Sequence, residues 1–143
     1  MNAGRRHWQG LGRRAAAFTS ANQYLGGIYA ILESVSKIVA AGGDYASCYL
    51  TFQEYFERLG NDPNKWGKPF ATLLGAFEAQ HQLGIAAIGG KDSMSGTFKE
   101  LNVPPTFVSF AVTTQKAEHI ISTAFQSTNN FIYLFELPVD DKL

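Results

Sequence analysis

The residues best suited to chemistry lie between Gly89 and Gly96, where the sequence reads GGKDSMSG. Consecutive glycines let backbone N–H groups turn towards a ligand without obstruction from a side chain. Lys91 adds a positive charge, and Ser93 and Ser95 add hydroxyl donors, so the segment predicts a loop that binds phosphate oxygens. The plainer alternative is a tight turn with a surface lysine and aspartate, and loop composition alone favours that alternative.

This segment is not a Walker A loop, although it comes close to one. The Walker A motif requires glycine, four further residues, Gly-Lys and then Ser or Thr. Here Ile85 stands at the first glycine position and Asp92 stands where the hydroxyl should be. Asp92 would repel a bare phosphate unless a magnesium ion lay between them, so a magnesium-bound nucleotide is the more consistent ligand.

The elements around this segment must position it. Residues Ile85 to Ile88 form a short apolar run that predicts a buried strand leading into the loop. Pro69 is expected to open the preceding helix, since a missing N–H costs nothing at a helix start, and Gly84 is expected to end it. The residues expected to form the buried face of that helix are Phe70, Leu73, Leu74 and Phe77.

The remaining elements predict a layered α/β domain. Apolar residues at helical spacing predict a helix from about Tyr24 to Ala41, stopped by the glycines that follow. The stretch Tyr45 to Leu59 suits either a helix or a strand. Phe, Val and Thr content predicts strands at Thr106 to Thr114 and at Phe131 to Leu137.

Composition excludes several classes of protein. The 143 residues suffice for one ordinary domain, and 45% of them are hydrophobic, as in globular proteins. Twelve basic residues balance twelve acidic ones, so charge predicts neither a nucleic-acid nor a membrane partner. The single cysteine, Cys48, excludes an intrachain disulfide and favours a reducing, cytoplasmic location. No apolar run approaches the roughly 20 residues of a membrane helix.

Several sequence blocks resemble the formylglycinamide ribonucleotide amidotransferases, also called phosphoribosylformylglycinamidine synthases. The resemblance covers about Asn22 to Leu143, and its blocks occur in the family's order. The blocks are LGGIYA from Leu25, YLTFQEYF from Tyr49, LGAFEAQ from Leu74, GGKDSMS from Gly89 and VPP from Val103.

The resemblance implies an α/β (α+β) domain like the N-terminal domain of aminoimidazole ribonucleotide synthetase, with a mixed sheet and helices on one face. Enzymes of this family convert formylglycinamide ribonucleotide, glutamine and ATP to formylglycinamidine ribonucleotide, ADP, phosphate and glutamate. They contain two tandem synthetase-like copies and a glutaminase. Residues 22–115 would be most of the N-terminal subdomain of the second copy, and residues 116–143 would begin the following subdomain. Such a fragment is expected to be inactive alone.

The resemblance also implies the ligands. Gly90, Lys91 and Ser93 fall on positions that bind ATP or substrate phosphate across the interface between the two copies, with Asp92 and Ser95 as neighbours. The implied partners are therefore nucleotide and ribonucleotide, together with the rest of the ligase or a second copy in a dimer. Charge neutralisation by a lysine and backbone donors suits a reaction through a phosphorylated amide.

The first helix departs from the family pattern. The family often places Glu and Asn four residues apart there, both binding Mg²⁺ beside the nucleotide. Glu33 matches the Glu and is the implied metal ligand, but Lys37 stands at the Asn position, and a protonated lysine cannot bind a metal. The alternative is a Glu33–Lys37 ion pair on an exposed helix face.

The N-terminal segment 1–21 is atypical, because it is rich in Arg and Gly and holds no Asp or Glu. Nothing of the family is recognised before about Ser20, where the first strands of the sheet should lie. We hypothesise that residues 1–19 arise from a misassigned start or a shifted frame, which would leave the sheet without its first strands. Two further interpretations remain open: a free-standing nucleotide-binding module, and a remnant that only dimerises through its sheet.

Overall fold

The computed structural model describes residues 22–134, so the expectations for segment 1–21 lie outside the described residues. Residues 22–134 form two helices and five strands: α1 (Gln23–Ala40), β1 (Tyr49–Tyr55), α2 (Pro63–Leu83), β2 (Ala86–Ser93), β3 (Thr97–Phe98), β4 (Leu101–Asn102) and β5 (Thr106–Val112). Short 3₁₀ turns occupy Tyr45–Ser47 and Ala117–His119. Within 22–134, neither helix is long and apolar enough to cross a membrane.

Helix α1 confirms the prediction from its apolar spacing. The Asn22 side chain caps its start by accepting a 3.0 Å hydrogen bond from the backbone N–H of Leu25. Gly42, with a φ of +89°, turns the chain away after the last helical turn. Such a left-handed conformation favours glycine, which explains why the helix ends there.

Strand β1 resolves the ambiguous stretch Tyr45 to Leu59 and is the centre of a mixed sheet. The strand order is β2-β1-β5, with β2 parallel to β1 and β5 antiparallel to it. On β5, Ala111 lies opposite Leu50 and Phe107 lies opposite Glu54. Strand β5 itself confirms the strand predicted from Thr106.

Both helices cover the same face of this sheet. The hydroxyl of Ser34 on α1 lies 2.8 Å from that of Ser109 on β5, which fixes the side on which α1 packs. The core between the layers contains Ala30, Ile31, Val35, Leu50, Ala76, Ala79, Ile85 and Phe107. The opposite face carries exposed apolar side chains and is called the open face below; they are Tyr49, Phe110 and Val112, with Ile88 also exposed at the start of β2.

Helix α2 begins earlier than predicted. It starts at Pro63, so Pro69 lies inside the helix instead of opening it. The Asp62 carboxylate caps the helix by accepting a hydrogen bond from the Asn64 backbone N–H, at 2.9 Å. Pro63 takes the first helical position, where the absent N–H has no intrahelical acceptor, so the start signal belonged to Pro63.

The predicted buried face of α2 was also wrong. Phe70, Leu73, Leu74 and Phe77 are between 45% and 64% exposed, whereas Thr72, Gly75, Ala76 and Ala79 are buried. The small residues face α1 because the two helices cross with their backbones in close approach. A Cβ atom at Gly75 would collide with the Tyr24 carbonyl oxygen, and one at Gly27 would collide with that of Thr72. Small size, not hydrophobicity, therefore selected the buried face.

An ion-pair cluster attaches the start of α2 to the end of β1. The Glu57 carboxylate contacts the Lys68 ammonium at 2.6 Å and the Lys65 ammonium at 2.9 Å. Hydrogen bonds from Lys68 and then Lys65 lower the pKa of Glu57. The pair of lysines thus keeps this almost buried carboxylate charged.

The chain after β5 contacts the turn after α1. The Ile121 backbone N–H donates to the Ala41 carbonyl at 3.0 Å, and the Gln115 side-chain amide donates to the Gly42 carbonyl at 2.9 Å. The predicted strand Phe131 to Leu137 is not formed over residues 131–134, and 135–137 lie outside the described residues. The side chains of residues 131–134 are at least three-quarters exposed, because no described strand pairs with them. The proposed boundary at residue 116 stays a prediction.

Candidate functional site

The predicted phosphate loop is largely a strand. Strand β2 continues through Ser93, and its backbone pairs with β1 from Gly89 opposite Thr51 to Ser93 opposite Tyr55. Ile88 has no register partner on β1, because Leu50 pairs with Ala87 and Thr51 with Gly89. This shift indicates a bulge just before the glycines. Parallel pairing overrode the loop preference of two adjacent glycines, so the irregular part of the segment is confined to Met94–Gly96.

Strand alternation divides the five predicted phosphate-site residues between two faces of the sheet. Lys91 pairs in register with Gln53, and its ammonium lies 5.2 Å from the ring centroid of Tyr55 on the open face. Ser93 pairs with Tyr55, and its hydroxyl lies 3.4 Å from that of Ser95. The lysine and both serines are therefore brought together at the same end of the open face.

Asp92 lies on the opposite face from these donors. It pairs in register with Glu54, whose side chain faces the helices beside Phe107. Because Asp92 and Lys91 lie on opposite faces, Asp92 is further from a phosphate on the open face and repels it less. A magnesium ion between Asp92 and that phosphate is therefore less necessary than the sequence suggested.

Gly90 serves strand packing in addition to any role in ligand binding. A Cβ atom at Gly90 would lie 2.6 Å from the Phe52 carbonyl oxygen, whereas one at Gly89 would meet nothing within 4 Å. We expect Gly90→Ala to reduce the free energy of unfolding by about 1–3 kcal/mol, because the strands must separate to admit the methyl group. Gly89→Ala, the matched control, should be neutral or slightly stabilising. Urea unfolding of both variants checks this, and equal effects would contradict the assigned close approach.

Glu54 is the functional candidate that sequence reasoning missed. Its side chain is 2% exposed at the centre of the sheet, and its Oε1 atom has no hydrogen-bond partner among the described residues. Burial, and secondarily the charge of Asp92, raise the pKa of Glu54 to about 7. The signal lay in the alternation of β1, where Leu50, Phe52 and Glu54 share one face and an acid is out of place among apolar residues.

The implied metal ligand Glu33 is engaged in an ion pair. Its carboxylate lies 2.8 Å from the Lys37 ammonium, one helical turn further along α1. The exposed i,i+4 pair is therefore formed, and one Glu33 oxygen is committed to a cation of the chain itself. Among the residues that the structure describes, no group of three or more His, Cys, Asp or Glu side chains is arranged to hold a metal.

Comparison with solved structures gives one relevant similarity. PurLQS from Thermotoga maritima, a phosphoribosylformylglycinamidine synthase, superposes with a TM-score of 0.62 over 76% of this chain, at 20% sequence identity. The chain spans 18% of the length of that chain. Neither a protein-family model nor a curated protein matches the sequence. The similarity at this identity shows a synthetase-like fold of mixed α/β architecture, in agreement with the fold class expected from the sequence.

Proposed function

We propose that this chain is part of an ATP-dependent ligase of purine biosynthesis that makes formylglycinamidine ribonucleotide. The observation that carries the proposal is the convergence of Lys91, Ser93 and Ser95 at one end of the open face, within a fold similar to PurLQS. An ammonium and two hydroxyls offer charge-assisted hydrogen bonds to phosphate oxygens. The ligand would be the phosphate of ATP or of the ribonucleotide substrate.

Catalysis of the complete reaction would require parts beyond this chain. The chain spans 18% of PurLQS from Thermotoga maritima, and a glutaminase and a second synthetase-like unit would have to complete the cleft. In our proposal, Lys91 neutralises phosphate charge, the glutaminase supplies ammonia, and the ribonucleotide substrate carries the amide that reacts. We expect no formation of amidine from formylglycinamide ribonucleotide, ATP and ammonia by the isolated chain, and measurable turnover would refute its role as a fragment.

The exposed apolar side chains of the open face are the reason for proposing a partner. Tyr49, Phe110 and Val112 leave an apolar surface exposed on the side that also carries Lys91. We propose that the rest of the ligase, or a second copy of this chain, covers that surface and completes the phosphate site. Dimerisation without nucleotide binding would instead favour the alternative of a dimerisation module.

Nucleotide binding tests the site directly. We expect Lys91→Ala to weaken Mg-ATP binding by about 10- to 100-fold, because a hydrogen bond to a charged group contributes about 1.5–3 kcal/mol. Lys99→Ala is the matched control, since Lys99 is also an exposed lysine beside an aromatic ring, with its ammonium 5.6 Å from the Phe98 centroid. Isothermal titration calorimetry measures both affinities. Equal losses in the two variants would show only general electrostatic attraction.

A further inference from the structure

Glu54 occupies a position that is costly for a carboxyl group without a function. It lies on the central strand, 2% exposed, with Phe107 beside it on β5 and Asp92 beside it on β2. A buried oxygen without a hydrogen bond costs about 1–3 kcal/mol, and more if it is charged. The arrangement therefore calls for a positively charged or hydrogen-bond-donating group that the described residues do not provide.

Together with Asp92, Glu54 forms a pair of carboxylates in which Glu54 is buried and Asp92 is exposed. Register partners on neighbouring strands lie about 4.8 Å apart, close enough for both side chains to bind one ion. The charge of Asp92 contributes, after burial, to the raised pKa of Glu54. Asp92 is exposed, so the pair is open to solvent through Asp92 and closed at Glu54.

Glu33 on α1, the metal ligand that the family resemblance implies, is less favourable for binding a cation than Glu54 and Asp92. The Lys37 ammonium lies 2.8 Å from Glu33, and a fixed positive charge there would repel a divalent cation. Oxygen ligands in positions without a neighbouring cation are better suited to a hard metal ion. Magnesium commonly uses one or two carboxylates and completes its coordination with water or phosphate.

We propose that Glu54 and Asp92 together bind one divalent cation of the Mg²⁺ or Mn²⁺ class, with Glu54 as the buried ligand. The inference deepens the proposed function, since an ATP-dependent ligase would use such an ion, but it does not require nucleotide to be bound. The cation would lie on the helix-covered side of the sheet, and the phosphate donors Lys91 and Ser93 on the open face. A variant can therefore lose cation binding and keep phosphate binding, or the reverse.

Mn²⁺ titration without nucleotide, followed by electron paramagnetic resonance, tests the proposal on the full chain. We expect one site in the wild type, at least tenfold weaker binding in Glu54→Gln and in Asp92→Asn, and unchanged Mn²⁺ binding in Lys91→Ala. Glu100→Gln, which removes an exposed carboxylate, is the control and should bind as the wild type does. Circular dichroism establishes that each variant is folded.

The possible results separate the two proposals. Absence of a Mn²⁺ site in the wild type overturns the inference even if Mg-ATP binding depends on Lys91. Loss of Mn²⁺ in Asp92→Asn with full retention in Glu54→Gln also overturns it, because Glu54 would then not be a ligand. Retained Mn²⁺ binding in a chain that does not bind ATP would support the inference and refute only the proposed nucleotide site.

Discussion

Gly75→Ala is expected to destabilise the protein by at least about 3 kcal/mol. The added methyl group would collide with the Tyr24 carbonyl oxygen, and neither helix backbone can yield without moving α1 away from α2. Overpacking a close contact commonly costs 1–3 kcal/mol, and a collision with backbone falls at or above the top of that range. Since domains of this size have total stabilities of about 5–15 kcal/mol, a large part of the stability would be lost.

Gly67→Ala provides the matched control on the same helix. A Cβ atom at Gly67 meets nothing within 4 Å, and the residue is exposed near the start of α2. Alanine is favoured over glycine in helices by about 0.8–1 kcal/mol, so this variant should be slightly more stable than the wild type. Chemical denaturation of the two variants should therefore give changes of opposite sign. Similar stabilities would contradict the close crossing of α1 and α2.

Glu54→Gln is expected to stabilise the metal-free protein at pH 8 by about 3 kcal/mol, the largest effect predicted for a polar residue. The pKa of Glu54 is raised from an ordinary value of 4.5 to about 7, mainly by burial and further by Asp92. The folded protein therefore binds this proton more tightly than the unfolded chain does. That difference corresponds to about 3 kcal/mol, and glutamine keeps the shape of the side chain without the charge.

The raised pKa of Glu54 determines the direction in which the stability of the protein changes with pH. Glu54 contributes its full stability below pH 4.5, where it is protonated in both states, and the contribution falls as pH rises towards 7. Above about pH 7 the contribution has been lost, because the folded protein must then bury the charge. In EDTA, the wild type should lose stability between pH 5 and pH 7.5 relative to Glu54→Gln. Glu100→Gln, with its exposed side chain, should follow the wild type, and parallel curves for all three proteins would contradict the burial of Glu54.

The sequence predicted the elements whose signals are local. The apolar spacing and following glycines identified α1, and the β-branched and aromatic residues after Pro105 identified β5. The same reasoning expected Lys91, Ser93 and Ser95 in one phosphate loop. The structure places them at one end of the open face, and phosphate binding there stays a prediction. Local patterns were sufficient for α1 and β5, because residues close together in the sequence determine these elements.

The errors came from tertiary contacts that no local pattern reveals. Gly89 and Gly90 suggested a loop, but pairing with β1 made them strand residues, and Gly90 is required by the nearby Phe52 carbonyl. On α2, the hydrophobic stripe suggested the buried face, but the close approach of α1 selected the small residues instead. Glu54 was missed because the stretch Tyr45 to Leu59 suited either a helix or a strand, so the strand alternation that places Glu54 on the buried face was not applied.

Exposed apolar surface on α2 and on the open face has a common explanation in the proposed function. Phe70 and Phe77 on α2 are each 64% exposed, and Phe110 and Val112 are exposed on the sheet. Exposed apolar groups of this extent mark interaction surfaces in proteins. The chain spans 18% of the length of PurLQS from Thermotoga maritima. In the proposed ligase, other parts of the protein would cover these exposed groups.

We propose that phosphate binds at Lys91, Ser93 and Ser95 on the open face. The most direct test of this proposal is a crystal structure of the chain with a magnesium-bound, non-hydrolysable ATP analogue. We expect phosphate density within hydrogen-bond distance of the Lys91 ammonium and the Ser93 hydroxyl. Nucleotide bound elsewhere on the chain, with the open face accessible in the crystal, would contradict it.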